Sequence, residues 1–352
     1  MDRMISKLSV CCLTPALMVA LSIGAEVAQA SQSPSPFSFN LVALGNVGSS
    51  LNPKTADVQG TAAIVGNLYG SGWSAGDDAS STAGYSLYVG GTANFSGGSI
   101  GAGGMQVGGD LTLNNFGTGS PIVSGGNLYG TNSGTLSGPV TLAGENNSQL
   151  TFTGTLEQNS SFSPSFNPQS LTGYFDNLSS TYASLSPTVP PSNVVNQGST
   201  LTIDATAGQQ VVNLAAGEFG DQTNVNINFS GGSYSSNYLI INVPDTSLSM
   251  NYLTFNFTGI SASHVLVNAN SLRTLTLTGG GNYNLLAPTA NVNYSSGSFA
   301  GNLIVNNLTG GGESDLGYFF NPPATAVETP EPAAFGLLFF GAASVLSLRK
   351  RL

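Results

Sequence analysis

His264 is the single histidine of the 352-residue chain, so a histidine-pair metal site is excluded. A nucleophile–histidine–acid triad would likewise have one possible base. His264 is followed by Val265-Leu266-Val267, an apolar run typical of a strand. The context favours a structural histidine over a catalytic one. We therefore expect no catalytic residue and no enzyme activity.

Asp77 and Asp78 are adjacent carboxylates, and paired carboxylates are the groups that glycosidases use. Neighbouring side chains on a strand point to opposite faces, which would separate the two carboxylates. In a glycine-rich loop such residues are more often solvated turn residues, and this is the favoured interpretation. The run Gly108-Gly109-Asp110 matches part of the calcium-binding repeat Gly-Gly-x-Gly-x-Asp, and calcium at acidic turns remains a minor alternative. The sequence predicts neither a metal site nor a cofactor.

Charged residues make up 7% of the chain, while hydrophobic residues make up 40% and glycine contributes 46 residues. This composition indicates short strands joined by tight turns, because glycine and asparagine accept the positive φ that such turns need. Residues 31–332 hold fifteen acidic residues but two basic ones, Lys54 and Arg273. Such an acidic surface repels phosphate backbones, so nucleic acid is excluded as a partner.

Residues 1–30 follow the pattern of a secretory signal peptide. Arg3 and Lys7 precede an apolar stretch, and Ala28-Gln29-Ala30 is a cleavage site of the Ala-x-Ala type that predicts Ser31 as the first mature residue. Cys11 and Cys12 lie inside this segment, too early for lipidation and without small residues before them. The mature chain would therefore contain no cysteine and no disulfide.

The other end carries a second targeting segment. Residues 333–348 contain no charge, and a helix of that length spans about 24 Å, slightly short of a bilayer core. The basic cluster Arg349-Lys350-Arg351 would hold its end on the cytoplasmic side. Taken alone, this segment predicts a transmembrane tail anchor.

Pro330-Glu331-Pro332 stands directly before this helix, and the three features in this order resemble the PEP-CTERM sorting signal. The resemblance implies an exopolysaccharide-producing Gram-negative host, an exosortase partner and removal of the tail near Pro330, Glu331 and Pro332. Permanent anchoring through the helix is the alternative.

Four variants of one short unit recur in the first half of the domain. They are Val65-Gly66-Asn67-Leu68, Val89-Gly90-Gly91-Thr92-Ala93, Val107-Gly108-Gly109-Asp110-Leu111 and Val123-Ser124-Gly125-Gly126-Asn127-Leu128. An irregular period near 18 residues with glycine-containing corners is typical of the coils of a β-solenoid. A β-sandwich is the alternative, but it predicts less glycine at equivalent points.

The second half alternates apolar and polar residues, which predicts half-buried strands around 224–229, 253–257 and 274–278. One segment differs, since its apolar residues follow the period of a helix: Leu171, Tyr174, Phe175, Leu178, Tyr182 and Leu185. We expect an amphipathic helix over about 168–186, capped by Ser170, ended before Pro187 and Pro190, and packed against the solenoid.

An ordered set of short motifs over residues 39–320 resembles the choice-of-anchor A domain. The motifs are Phe39-Asn40-Leu41-Val42-Ala43-Leu44-Gly45-Asn46, Asp57-Val58-Gln59-Gly60, Ala62-Ala63-Ile64-Val65-Gly66-Asn67, Leu286-Ala287-Pro288-Thr289-Ala290, Gly301-Asn302-Leu303-Ile304-Val305 and Leu308-Thr309-Gly310-Gly311-Gly312-Glu313. Ser314 and Asp315 then depart from the expected pattern. The resemblance implies surface display or adhesion without an enzymatic role.

The predicted fold is therefore mostly β, an irregular β-solenoid with one packed helix, a signal helix and a transmembrane helix. Residues 1–30 form the signal peptide, 31–320 the solenoid domain, 321–332 a linker, and 333–352 the transmembrane helix and basic tail. The predicted location is the cell envelope, outer surface or extracellular matrix, after transient anchoring in the inner membrane.

Two non-enzymatic functions fit this organisation. The first is a matrix or adhesion protein whose exposed aromatics contact exopolysaccharide or other cell-surface glycans, with Tyr69, Trp73, Tyr85 and Tyr88 as candidates. At least half of these aromatics are expected in the core. The second is an ice-binding-like adhesin, because a solenoid with a neighbouring helix and flat Thr-rich strands resembles the architecture of ice-binding adhesins; Thr274, Thr276 and Thr278 form one such Thr row. A glycan-active enzyme is the least favoured function.

Overall fold

The computed structural model describes residues 34–77, 84–131, 134–159, 161 and 166–323. The first half of this region contains β1 (Leu41–Ala43), β2 (Ala62–Ile64), β3 (Leu68–Ala75), β4 (Leu87–Val89), β5 (Ala93–Ile100), β6 (Met105–Val107), β7 (Leu111–Asn114), β8 (Ile122–Ser124), β9 (Leu128–Tyr129), β10 (Thr135–Leu136), β11 (Val140–Leu142), β12 (Thr151–Phe152) and β13 (Leu156–Gln158). Helix α1 (Ser170–Ala183) follows.

The second half contains β14 (Val194–Gln197), β15 (Thr200–Thr206), β16 (Gln209–Asn213), β17 (Asn224–Ser230), β18 (Tyr238–Asn242), β19 (Ser247–Met250), β20 (Thr254–Thr258), β21 (Val265–Asn268), β22 (Thr274–Leu277), β23 (Leu285–Tyr294), β24 (Ser298–Ala300), β25 (Leu303–Thr309) and β26 (Glu313–Asp315). Short 3-10 helices are Pro36–Ser38, Pro191–Asn193 and Ala262–His264.

Nearly all strand pairs are parallel, and the longest row of paired strands has the order β13-β11-β8-β6-β4-β2-β1-β25-β23-β21-β18-β16. Strand β1 therefore lies between β2 and β25 in the sheet, although β1 is near the start of the domain sequence and β25 is near its end. The first half adds coils in one direction from β1, and the second half begins at the opposite end and builds back towards β25. This arrangement confirms a mostly β, solenoid-like fold with parallel sheets.

The repeated units stack in register at their apolar residues, since Leu68 pairs with Ala93, Ala93 with Leu111, and Leu111 with Leu128. Aligning the repeat units by their valines gives a register that is wrong by one residue at two of the four units. Ile64 pairs with Val89, and Ser124 pairs with Val107. In every unit the paired residue before the corner lies four positions before the buried apolar residue after it. The buried residue after the corner therefore sets the register, whichever residue occupies the valine position.

Glycines at these corners are required by close approach between coils. A Cβ at Gly108 would run into the carbonyl oxygen of Gly90, and a Cβ at Gly125 into that of Gly108. Because backbone cannot move aside as a side-chain tip can, any larger residue would push neighbouring coils apart. The glycine content of the sequence thus follows from the stacking.

Apolar side chains fill the inside of the coils and also cover the outer side of the longest sheet. Residues Leu41, Val42 and Ala43 of β1 are all fully buried, so both faces of this strand are covered. The outer cluster contains Val42, Leu266, Leu286, Ile304, Phe37, Phe39, Phe320 and four residues of α1. The solenoid therefore carries one covered side.

Helix α1 provides much of this cover, and it packs against β18, β21 and β23. Its buried apolar stripe is Leu171, Phe175, Leu178 and Tyr182, which confirms the predicted amphipathic helix. Tyr174 is partly buried, whereas Leu185 lies beyond the helix and is 38% exposed.

The predicted cap of this helix was wrong. Gln169 is the N-cap residue and makes no side-chain capping bond, while Ser170 is the first helical residue. The Ser170 hydroxyl donates to the carbonyl oxygen of Asn167, 2.9 Å away, because the chain makes a turn before the helix.

The predicted signal helix and the predicted transmembrane helix lie outside the described residues. Within the described part of residues 34–323, no helix combines the length and apolarity that crossing a bilayer requires.

Lys54 is a fully buried cation where the loop after β1 meets the C-terminal strands. Its Nζ donates to the carbonyl oxygens of Gly312 and Ala56. Burial lowers the pKa of Lys54 from 10.5 to about 8, although the negative charges of Asp57 and Glu313 act in the opposite direction. The ammonium form is therefore less favourable in the folded chain than in the unfolded chain.

This depressed pKa predicts a free energy of unfolding that increases from pH 7.5 to pH 9.5. Between the two pKa values the unfolded chain binds more protons than the folded chain, so stability rises with pH, by about 2 kcal/mol over this interval. Above pH 10 the trend reverses, because burial raises the pKa values of Tyr182, Tyr283 and Tyr294 and disfavours their ionisation in the folded state. Urea unfolding at stepped pH measures the curve.

Lys54→Met should remove the increase in the free energy of unfolding between pH 7.5 and pH 9.5. Arg273→Gln, which removes an exposed cation, should leave that increase unchanged. A rise of the same size in Lys54→Met would show that another group titrates in this range.

Candidate functional site

The uncovered second-half strands β15, β17 and β20 present a flat polar surface, here called the polar lattice. Its outward residues are Thr200, Thr202, Asp204, Thr206, Asn224, Asn226, Asn228, Ser230, Thr254, Asn256 and Thr258. The alternate residues Leu201, Ile203, Val225 and Ile227 are fully buried beneath it. The predicted alternation at 224–229 and 253–257 is confirmed, with Phe257 partly buried.

The polar lattice is regular in both directions. Strands β15 and β17 pair without interruption over seven residues, from Thr200 with Asn224 to Thr206 with Ser230. Adjacent strands lie about 4.8 Å apart, and alternate residues on one strand about 6.6 Å apart. A ligand that repeats on this scale can contact several rows at once.

Hydrogen bonds across the strands hold four of the lattice side chains in place. The Asn256 amide nitrogen lies 3.0 Å from Oδ1 of Asn226, and that of Asn228 lies 2.9 Å from Oδ1 of Asp204. Fixed side chains lose little conformational entropy when a ligand binds, so these four residues are preorganised. Asp204 is the one charged residue of the polar lattice.

The predicted threonine row lies elsewhere, on β22. Thr274 pairs with Ser247 and Asn291, and Thr276 pairs with Ser249 and Asn293. Thr278 follows the strand, and its hydroxyl donates to Oδ1 of Asn251. The row exists, but serine and asparagine occupy its neighbouring strands.

The four candidate aromatics separate into core and surface. Trp73 is fully buried and stacks on Phe95 with ring centroids 6.0 Å apart, and Tyr88 is 4% exposed. Tyr85 is partly buried, its backbone N–H donates to the Tyr88 hydroxyl, and burial raises the pKa of both phenols. Tyr69 is half-buried and lines a surface recess. The expectation that at least half would be core is confirmed.

His264 lies at the corner before β21 and is 7% exposed. Its Nδ1 is 3.1 Å from the carbonyl oxygen of Asn237, and its ring stacks on Tyr238 with centroids 4.1 Å apart. These contacts give His264 a structural role, opposite Tyr238 of the neighbouring coil.

The acidic candidates have local partners. Oδ2 of Asp77 accepts from the Ser74 hydroxyl at 3.0 Å, and Asp78 lies outside the described residues. Oδ1 of Asp110 accepts from the backbone N–H of Asn127 in the next coil at 2.7 Å. Among the residues that the structure describes, no three or more His, Cys, Asp or Glu side chains gather as metal ligands.

A ladder of buried asparagines was missed in the sequence. Asn237, Asn284, Asn302 and Asn40 each precede a strand of the longest sheet and are at most 1% exposed. Asn284 illustrates their role, since its Nδ2 donates to the carbonyls of Ala262 and Val265 while its Oδ1 accepts from the N–H of Asn302. The signal was available, because Asn directly precedes an apolar strand in each case.

A second ladder runs from β25 through the corners that follow β1, β2 and β4. Oδ1 of Asn307 accepts from the Asn46 N–H at 2.6 Å, Asn46 accepts from Asn67 at 2.8 Å, and Asn67 accepts from Thr92 at 2.8 Å. Asn307 and Asn46 thereby join the two halves beside β1. The short polar residue of each repeat unit is thus a structural link between coils.

The structure does not describe the predicted targeting residues. Cys11, Cys12, Ala28, Ala30, Ser31, Pro330, Glu331, Pro332, Arg349, Lys350 and Arg351 all lie outside the described residues. Their predicted roles remain predictions.

Comparison with known proteins places this architecture in a family. A family model described as "Putative Ice-binding-like adhesive domain" matches residues 37–316, which is most of the chain. It differs from the choice-of-anchor A domain that the sequence motifs resembled. No curated protein and no solved structure matches the chain. By the extent of this match, the chain belongs to the ice-binding-like adhesive domain family.

Proposed function

We propose that the chain is an exported adhesin that attaches the cell, or its extracellular matrix, to a repetitive uncharged surface. The polar lattice is the observation that carries this proposal, because it offers many short hydroxyl and amide groups in fixed rows. Weak contacts repeated over a flat area sum to firm attachment without a deep pocket. The adhesive family and the acidic composition support the same function.

A bulky charge in the centre of the polar lattice should weaken attachment. Asn226 pairs with Thr202 on one side and Asn256 on the other, so a lysine there would lift a ligand off three strands. We expect Asn226→Lys to reduce attachment of the producing cells by about fivefold or more, which corresponds to about 1 kcal/mol. Retention on polysaccharide-coated surfaces under flow measures the effect.

Ser180→Lys is the matched control. Ser180 lies on the exposed side of α1, and this variant adds the same charge as Asn226→Lys. Equal retention of both variants, or unchanged attachment after deletion of the gene, would contradict the proposal.

Ice is a second candidate ligand, favoured by the neutral hydroxyl and amide rows and by the family description. Thermal hysteresis of the purified protein distinguishes the two functions. Hysteresis that is lost in Asn226→Lys would assign the polar lattice to ice, and its absence in the wild-type protein would remove this candidate.

For delivery we propose cleavage after Ala30 and sorting through Pro330-Glu331-Pro332 by an exosortase, with the export machinery as the other partner. Before sorting, residues 333–348 would hold the chain in the inner membrane. Intact mass of the surface form tests this route, because a mass that includes residues 333–352 would favour permanent anchoring. Neither catalysis nor nucleic-acid binding forms part of the proposed function.

A further inference from the structure

A second polar surface lies on the first half of the solenoid, away from the polar lattice. Tyr69 of β3 pairs with Asn94 of β5, Asn94 with Thr112 of β7, and Thr112 with Tyr129 of β9. The strand residues before them, Leu68, Ala93, Leu111 and Leu128, are buried. All four side chains of this row, here called the tyrosine row, therefore point outward, and Tyr129 is 38% exposed.

A recess of about 250 Å³ opens at the Tyr69 end of the tyrosine row. Its walls include Tyr69, Asn94 and Ser96 on the strands and Ser49, Ser50 and Pro53 on the preceding loop. The loop is held in place, because Ser49 N–H donates to the Asn52 carbonyl at 2.9 Å and Lys54 N–H donates to the Tyr69 carbonyl at 2.9 Å. The recess is thus a built feature rather than a gap between loose segments.

These side chains match the two sides of a pyranose ring. A tyrosine ring packs against the C–H face of a sugar, while amide and hydroxyl groups exchange hydrogen bonds with its hydroxyls. Strands lie about 4.8 Å apart, close to the length that one β-linked pyranose adds to a chain. A glycan lying across the strands would therefore meet one residue of the tyrosine row per sugar.

Charge restricts the glycan further. The recess contains no charged residue, and the basic residues within 34–323 are Lys54, which is buried, and Arg273, which lies in the second half. Because the acidic domain repels anionic polymers, uronate-rich or sulfated chains are poor ligands.

We infer that the tyrosine row and its recess bind a neutral β-linked glycan segment of about four sugars, running along the solenoid axis. The inference names one ligand class for the proposed adhesin and rests on that function, but it uses a site separate from the polar lattice.

Isothermal titration of the full chain with cellohexaose and mannohexaose tests the inference, with hexagalacturonate as the anionic comparison. We expect one neutral oligosaccharide to bind, and Tyr69→Ala with Tyr129→Ala to weaken binding about tenfold, since two ring contacts are lost. Phenylalanine at both positions should retain most of the affinity. Tyr234→Ala with Tyr252→Ala, which removes two rings that are 59% and 61% exposed, should have no effect.

No binding of either neutral hexasaccharide, preference for hexagalacturonate, or unchanged binding by the double alanine variant would overturn the inference. In those cases attachment that remains sensitive to Asn226→Lys would leave the adhesin function standing. Glycan binding without any effect of gene deletion on attachment would instead support the site and contradict the proposed function.

Discussion

Asn302→Ala should lower the free energy of unfolding by about 4 kcal/mol, a large share of the stability of a domain. The Asn302 side chain is fully buried, and its Nδ2 donates to the carbonyls of Phe37 and Phe39 at 3.1 and 2.7 Å. Its Oδ1 accepts from the Phe320 N–H at 2.6 Å. Alanine would leave these three backbone groups buried without their partner, at about 1–3 kcal/mol each. Urea unfolding measures the loss.

The effect should extend beyond the hydrogen bonds. The backbone groups that Asn302 holds belong to segments that place Phe37, Phe39 and Phe320 over the outer side of β1 and β25. Phe37 and Phe320 contact each other with ring centroids 5.1 Å apart, so loosening either segment weakens the same cluster.

Asn293→Ala provides the control, because Asn293 is an exposed asparagine on a neighbouring strand. This substitution should change the free energy of unfolding by less than about 0.5 kcal/mol. If the two variants lose similar stability, the ladder residue does no more than a surface asparagine, and the argument from buried pairing is wrong.

Much of the fold could be predicted from local pattern. Alternation with period two identified β17 and the spacing of Leu171, Phe175, Leu178 and Tyr182 identified α1, because side-chain direction follows directly from backbone periodicity. Glycine-containing corners identified the solenoid, since stacked coils leave no room for Cβ there.

The closure of the domain could not be predicted in this way. The pairing of β1 with β25 joins residues more than 260 positions apart, and no local period encodes it. The exposure of the aromatic residues could not be predicted either. Tyr69 and Trp73 lie four residues apart on the same strand, a spacing that would place both side chains on one face. Tyr69 faces a recess, whereas Trp73 is in the core beyond Gly72, whose φ is +60° and which turns the chain. The polar lattice needed the register of three strands, which the alternation of one strand does not give.

Phe175→Ala should also cost about 4 kcal/mol, through a different mechanism. Phe175 is fully buried and makes edge-to-face contacts with Phe37 and Tyr174, at centroid distances of 5.4 and 5.0 Å. Alanine would leave a cavity between α1 and the outer side of the longest sheet. We expect a lower urea midpoint and increased binding of a hydrophobic dye, because Leu286 and Ile304 lie under the same cluster.

Ser180→Ala is the control within the same helix, since Ser180 is exposed and alanine favours helix formation. It should change stability by less than about 0.5 kcal/mol. The comparison tests the architecture as well as one side chain, because α1 connects the end of the first half to the far end of the second. A helix composed of weak helix formers depends on packing for its stability. Equal stability of Phe175→Ala and Ser180→Ala would therefore mean that α1 does not cover the sheet in solution. A large difference would show that the packing of α1 on the sheet contributes to the stability of the domain.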